Sequence, residues 1–144
     1  FLPLLASPLQ KFIPFFKNEG RNGQRNLAII FAVAGYILGC IIGLFASYTK
    51  GLWLIYLEYL LSGLGIAIVN QFFHLKISGH ACGIIGPIML FVYFKLYIIA
   101  IIGLLIGVAV YISSIKMKRH TIYQLLGGSL VPIIVIFVLM LILN

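Results

Sequence analysis

Two histidines stand where chemistry is available in a chain otherwise poor in reactive groups. His80 lies in a polar cluster made of Asn70, Gln71, His74, Lys76, Ser78, Gly79 and His80. His120 lies in a second, made of Ser113, Ser114, Lys116, Lys118, Arg119, His120, Thr121 and Gln124. Each histidine opens an apolar stretch that reads as a helix. Helix N-termini present N–H groups without internal partners and a partial positive charge, both suited to phosphate oxygens. Lys76, Lys118 and Arg119 add full charges, and Gly79 permits close approach of the backbone to a bound oxyanion. Two imidazoles beside one phosphate can divide the labour, one attacking phosphorus and the other protonating the leaving oxygen. The residues read equally well as two interfacial histidines capping helices at a basic membrane surface.

The composition says what must position these clusters. Of 144 residues, 63% are hydrophobic and only 8% charged, with a mean hydropathy of +1.21. A soluble domain carries about 25% charged residues, so this chain cannot cover a water-facing surface and is expected to be an integral membrane protein. A secreted disulfide scaffold, a disordered chain and a soluble nucleic-acid binder are excluded on the same grounds. Ten Lys/Arg face two acids, Glu19 and Glu58, for a net charge of +8, and the chain contains no Asp. Paired-carboxylate catalysis and a carboxylate-bound metal are therefore not expected. Cys40 and Cys82 fall in apolar stretches without metal-ligand spacing and read as reduced, buried small residues.

A membrane-crossing helix needs about 20 apolar residues. Leu27–Tyr48, Leu52–Phe73, Leu96–Ile115 and Thr121–Leu143 meet that length, and Ala81–Phe94, at 14 residues, is short unless it continues back through Ser78, Gly79 and His80. The expected fold is all-α: a polytopic transmembrane bundle of five clear spans, with a sixth, N-terminal helix reduced or missing. Residues 27–144 form this domain. Residues 1–26 form an interfacial or truncated-helix segment, broken by Pro3, Pro8 and Pro14 and ending in a basic stretch. Because the chain opens on Phe1 rather than Met, a native segment is expected to precede it. Placing the N-terminal end inside puts eight cations in the cytoplasm and leaves Lys50 and Lys95 outside, the arrangement favoured by the positive-inside rule. Two helices separate the clusters, so both emerge on the same, cytoplasmic side of a multi-pass cell-membrane protein. Gly35, Gly39 and Gly43, like Gly103 and Gly107, repeat at spacing four and line one helix face, which suits close helix packing in the bundle or a homodimer.

The local sequence is more specific than its composition. Lys76-Ile77-Ser78-Gly79-His80-Ala81 at a helix start resembles the Ser-Gly-His motif of the type-2 phosphatidic acid phosphatase superfamily. Ser113 followed seven positions later by His120, then Thr121 and Gly127-Gly128, resembles its third motif, and two helices separate the motifs as in that family. The resemblance covers the chain from about Leu52 onward. It implies a metal-independent lipid phosphate phosphatase that needs no cofactor, acting on a lipid phosphate or polyprenyl diphosphate. His120 would be the nucleophile that forms a phosphohistidine, and His80 the general acid. Lys76, Ser78, Gly79 and Arg119 would bind the phosphate, and Gln124 would orient His120. The chain departs from the family in three places: Ser114 replaces an Arg, Gln124 replaces the Asp that orients the nucleophile, and the first motif, Lys-x6-Arg-Pro, is absent. Members with Lys-Ile-Ser-x-His and His-Thr-x-x-Gln versions of the motifs match Gln124 better. The departures leave open a degenerate relative that serves as a lipid-binding or scaffold subunit.

The partners implied are the bilayer and a membrane lipid phosphate, and no nucleic acid. Haem ligation by His80 and His120 is disfavoured, since both sit beside cations at helix starts. Coupled transport has little to support it in a five-span chain with one intramembrane acid. Glu58 lies within a span, where an ionised carboxylate at the helix centre costs about 2.5–3.5 kcal/mol, and it reads as a structural hydrogen-bonding residue outside the site. His74 reads as interfacial, Trp53 and Tyr56 as aromatic-belt residues, and Pro132 as a kink in the last span.

Overall fold

The computed structural model describes residues 20–72 and 76–143, with side chains from Ile30 onward. Every regular element among them is an α-helix: α1 Gly20–Ala46, α2 Lys50–Phe72, α3 Gly79–Tyr93, α4 Tyr97–Lys116 and α5 Ile122–Leu143. The chain divides into two compact units at residue 48. The expectations for residues 1–19, and for His74, lie outside the described residues. In the first unit, α1 turns Ile37, Leu38, Ile41, Ile42, Leu44 and Phe45 outward, whereas Gly39 and Gly43 are buried.

The second unit is a four-helix bundle in which α5 packs on α2 and α3, and α3 also packs on α4 and α2. Its core is small: Leu54 from α2, Leu90 from α3, and Ile136 and Leu139 from α5. Large aliphatic side chains face outward instead. On α4 alone Ile98, Ile101, Leu105, Ile106 and Ile112 are at least half exposed. Its buried positions are Ala100, Gly107 and Ser114, one small residue every seven. Glycine lets α4 approach α3 closely: a Cβ on Gly103 would stand 3.1 Å from Ile88, and one on Gly107 would stand 2.9 Å from Ile84. Small residues at the seam and large ones outside are what a helix needs when its solvent is lipid, and an exposed apolar surface of this extent is not found on soluble monomers.

Three helices among the described residues, α2, α4 and α5, are long and apolar enough to cross a membrane. This corrects the expectation of five clear spans. Of α1, the part described with side chains, Ile30–Ala46, is apolar over 17 residues, whereas α3 as a whole has only 15, about 22 Å at 1.5 Å per residue. The cause of α3's brevity is local. Ser78, with extended backbone, is its N-cap, accepting the Ala81 N–H on Oγ, so the helix takes in Gly79 and His80 and begins there. At the other end Lys95 adopts φ 61°, and the Leu96 N–H bonds back to the Phe91 carbonyl at 2.8 Å, the closing bond of a Schellman turn. Pro87 and Pro132 both lie inside continuous helices.

The start of α3 is seated on α5 by a glycine pair. A Cβ on Gly127 would come within 2.7 Å of Ile77 Cγ2, and one on Gly128 would collide with the Ser78 carbonyl oxygen. A side chain can rotate away from such a clash, but a backbone carbonyl held by hydrogen bonds cannot. Gly128→Ala is therefore expected to cost about 1–3 kcal/mol or more, clearly more than Gly127→Ala. Thermal unfolding of the two variants in detergent checks this, and equal losses would contradict the packing described.

Candidate functional site

Three hydrogen-bonded fastenings bring the two polar clusters to one end of the bundle. First, the side-chain amide of Asn70, at the end of α2, clasps Ile77 from both sides. Its Oδ1 accepts the Ile77 N–H at 2.7 Å, and its Nδ2 donates to the Ile77 carbonyl at 3.3 Å. Second, the Ser78 N–H donates to the Gln124 carbonyl at 2.9 Å, tying the entry of α3 to the first turn of α5. Third, the α4–α5 turn closes as a Schellman motif, with the Lys118 N–H on the Ile115 carbonyl and the Arg119 N–H on the Ser114 carbonyl. The left-handed position of that turn is Lys118, at φ 52°, where glycine is the usual occupant.

His120 follows this turn and precedes Thr121, the cap of α5. Thr121 and Gln124 form a capping box: the Gln124 N–H donates to Thr121 Oγ1 at 3.3 Å, and the Thr121 N–H donates to Gln124 Oε1 at 3.1 Å. The same Oε1 lies 3.4 Å from His120 Nδ1, so an Nδ1–H has an acceptor there. One amide oxygen thus serves the helix start and the imidazole together. The ring of His80, from the first turn of α3, sits with its centroid 5.9 Å from that of His120, the planes inclined at 51°. At that separation nitrogens of both rings can reach one bound tetrahedral anion.

The histidines open onto a cavity of about 390 Å³, lined also by Arg119, Met117, Ser113, Ser114 and the α4 residues Ile106, Ala109 and Val110. Arg119 is exposed and brings the guanidinium, a fork suited to phosphate oxygens. Of the residues expected at the site, His80, His120 and Arg119 share this cavity, and Gln124 touches it through His120. Lys76, Ser78 and Gly79 are absent from its lining. Lys76 and Gly79 are exposed, and a Cβ on Gly79 would meet nothing within 4 Å, so no protein contact requires glycine there. Ser78 is fully buried with Oγ turned to the Ala81 amide, which makes its hydroxyl part of the helix cap. Ser114 is buried, its carbonyl holding the turn that carries Arg119.

The aliphatic wall of Ile106, Ala109 and Val110 is not among the residues expected at the site. The signal was slight: α4 is apolar on every side, so periodicity does not distinguish a cavity wall from a lipid-facing surface. Among the described residues no group of three or more His, Cys, Asp or Glu gathers as a metal site would. No family model matches the chain, and neither a curated protein nor a solved structure matches it.

The shared role of Gln124 makes a specific prediction. Gln124→Ala opens the capping box and is expected to cost about 1 kcal/mol, as cap losses do. Gln124→Glu retains the acceptor and places negative charge in the first helical turn, so it should stay near the wild type. Thermal unfolding of both variants in one detergent checks the pair, and equal destabilisation would contradict the capping role.

Proposed function

We propose that this chain is an integral membrane phosphatase that hydrolyses a lipid phosphate or polyprenyl diphosphate through a phosphohistidine on His120. The observation that carries the reading is the meeting of His80, from the start of α3, with Arg119 and His120, from the α4–α5 connection, at one cavity. The spacing of the Ser-Gly-His and Ser-x6-His-Thr segments, which resembles the type-2 phosphatidic acid phosphatase superfamily, supports it. In the mechanism, Arg119 holds phosphate oxygens while His120 Nε2 attacks phosphorus. Gln124 Oε1 accepts the Nδ1–H, keeping Nε2 free as the nucleophile. His80 gives its proton to the leaving alcohol or phosphate oxygen, then takes one from the water that cleaves the phosphohistidine. Gln124 supplies orientation without the negative charge an Asp would bring to the imidazolium. The aliphatic wall lies beside the phosphate position and suits a substrate whose tail stays in the bilayer. By the positive-inside rule this multi-pass chain turns the site to the cytoplasm, with Lys76, Lys116, Lys118 and Arg119 at that end.

The second reading, a lipid-binding or scaffold subunit without turnover, is favoured by one observation. Among the described residues Arg119 is the one Lys or Arg lining the cavity, since Lys76 stays outside it, and Ser78 is committed to its cap.

Phosphate release from lipid phosphates and diphosphates in detergent separates the two. The phosphatase reading predicts release that persists in EDTA. His120→Ala is expected to lower it by about three orders of magnitude or more, and His80→Ala by about 10²–10⁴-fold. No release from any substrate, with lipid phosphate binding intact, would establish the second reading.

A further inference from the structure

Glu58 is the one acidic side chain among the described residues, and it lies deep in the second unit. It stands eight residues into α2, about 12 Å along the axis, and is only 1% exposed. Its Oε1 accepts the Ser62 hydroxyl at 3.1 Å, while Oε2 is buried with no hydrogen-bond partner among the described residues. The facing surface of α3 has been cleared for it. A Cβ on Gly86 would stand 2.8 Å from Oε1, and Cys82, one turn earlier, is also buried. No cation answers this carboxyl: the lysines and the arginine whose side chains are described are exposed and stand at helix ends or between helices. Cys82 is the ionisable group that α3 presents here. On α2 the nearest are the Tyr56 and Tyr59 phenols, and α5 carries none from Leu125 to Leu143. An ionised carboxylate with one oxygen unpaired is poorly tolerated in such surroundings, whereas a carboxylic acid brings a donor on Oε2 and no charge.

We propose that Glu58 is a proton-binding site: the seam between α2 and α3 holds this side chain as a neutral carboxylic acid, with the proton on Oε2. The proton is then a ligand of the folded bundle. Its release places a bare charge against Gly86 and weakens the seat of α3, the helix that carries His80.

The composition makes the test direct, because Glu19 and Glu58 are the only side-chain carboxyls in the chain. With glutamate labelled at the carboxyl carbon, a Glu19→Gln variant of the full chain in liposomes reports Glu58 alone. At about pH 6, where a solvent-exposed glutamate with its ordinary pKa near 4.3 is ionised, the expected magnetic-resonance and infrared signature is that of a protonated acid. A carboxylate signature at that pH would overturn the proposal. The second measurement is the thermal midpoint between about pH 4.5 and pH 7.5, the range over which an exposed glutamate has given up its proton and a buried one keeps it. The folded chain holds a proton that the exposed carboxyl surrenders, so wild-type stability should fall as pH rises, and that of Glu58→Gln should fall less. Parallel curves for the two proteins would also overturn it. If Glu58→Gln does not fold, the Glu19→Gln spectrum decides alone. Neither readout involves phosphate release, so the result stands apart from the reading of the histidine site.

Discussion

The Ser78 carbonyl lies where a side chain on residue 128 would begin, and the candidate site depends on that contact. Because Gly128 has no Cβ, the entry of α3 settles onto the first turns of α5, and the Ser78 N–H reaches the Gln124 carbonyl. The same seating lets α3 begin at Gly79, which puts His80 in its first helical turn and within 5.9 Å of His120. A bulkier residue at 128 would push α3 outward, and the two imidazoles would move apart with it. The cavity that both rings line is therefore a consequence of backbone packing.

The surrounding solvent explains why so many polar residues near the site are occupied elsewhere. Backbone N–H and C=O groups that leave a helix near lipid must find partners, because little water is available to supply them. Asn70 meets both needs of Ile77, Ser78 caps α3, and Thr121 with Gln124 caps α5. What faces the cavity is two imidazoles, one guanidinium and the α4 serines Ser113 and Ser114, against an aliphatic wall. Gln124 belongs to both groups, since its one amide oxygen serves the Thr121 amide and lies beside His120.

Much of the fold was legible because hydropathy and glycine spacing are strong signals in a chain of this composition. All five helices lie where the apolar segments do, and the Gly103/Gly107 face packs on Ile84 and Ile88. The gathering of the two polar clusters also follows from counting helices between them. Other features were not legible, for physical reasons. Ser78 and Lys76 share a motif with His80, but whether a short polar side chain faces a ligand or closes a helix end depends on a few backbone angles. The wall formed by Ile106, Ala109 and Val110 is hidden because aliphatic residues on α4 look alike whether they meet lipid or a cavity. The span count was overstated because apolar runs do not reveal where Ser78 and Lys95 stop α3.

The site requires that α3 and the connection leading into α5 hold His80 and His120 together in the membrane-embedded protein. The most direct measurement is intramolecular cross-linking of a His80→Cys, His120→Cys chain in liposomes. It uses a short thiol-specific bifunctional reagent and has Cys40 and Cys82 replaced by Ala. The account predicts an efficient cross-link that falls away when Gly128→Ala is added. Cysteines that each react singly but never join would contradict it.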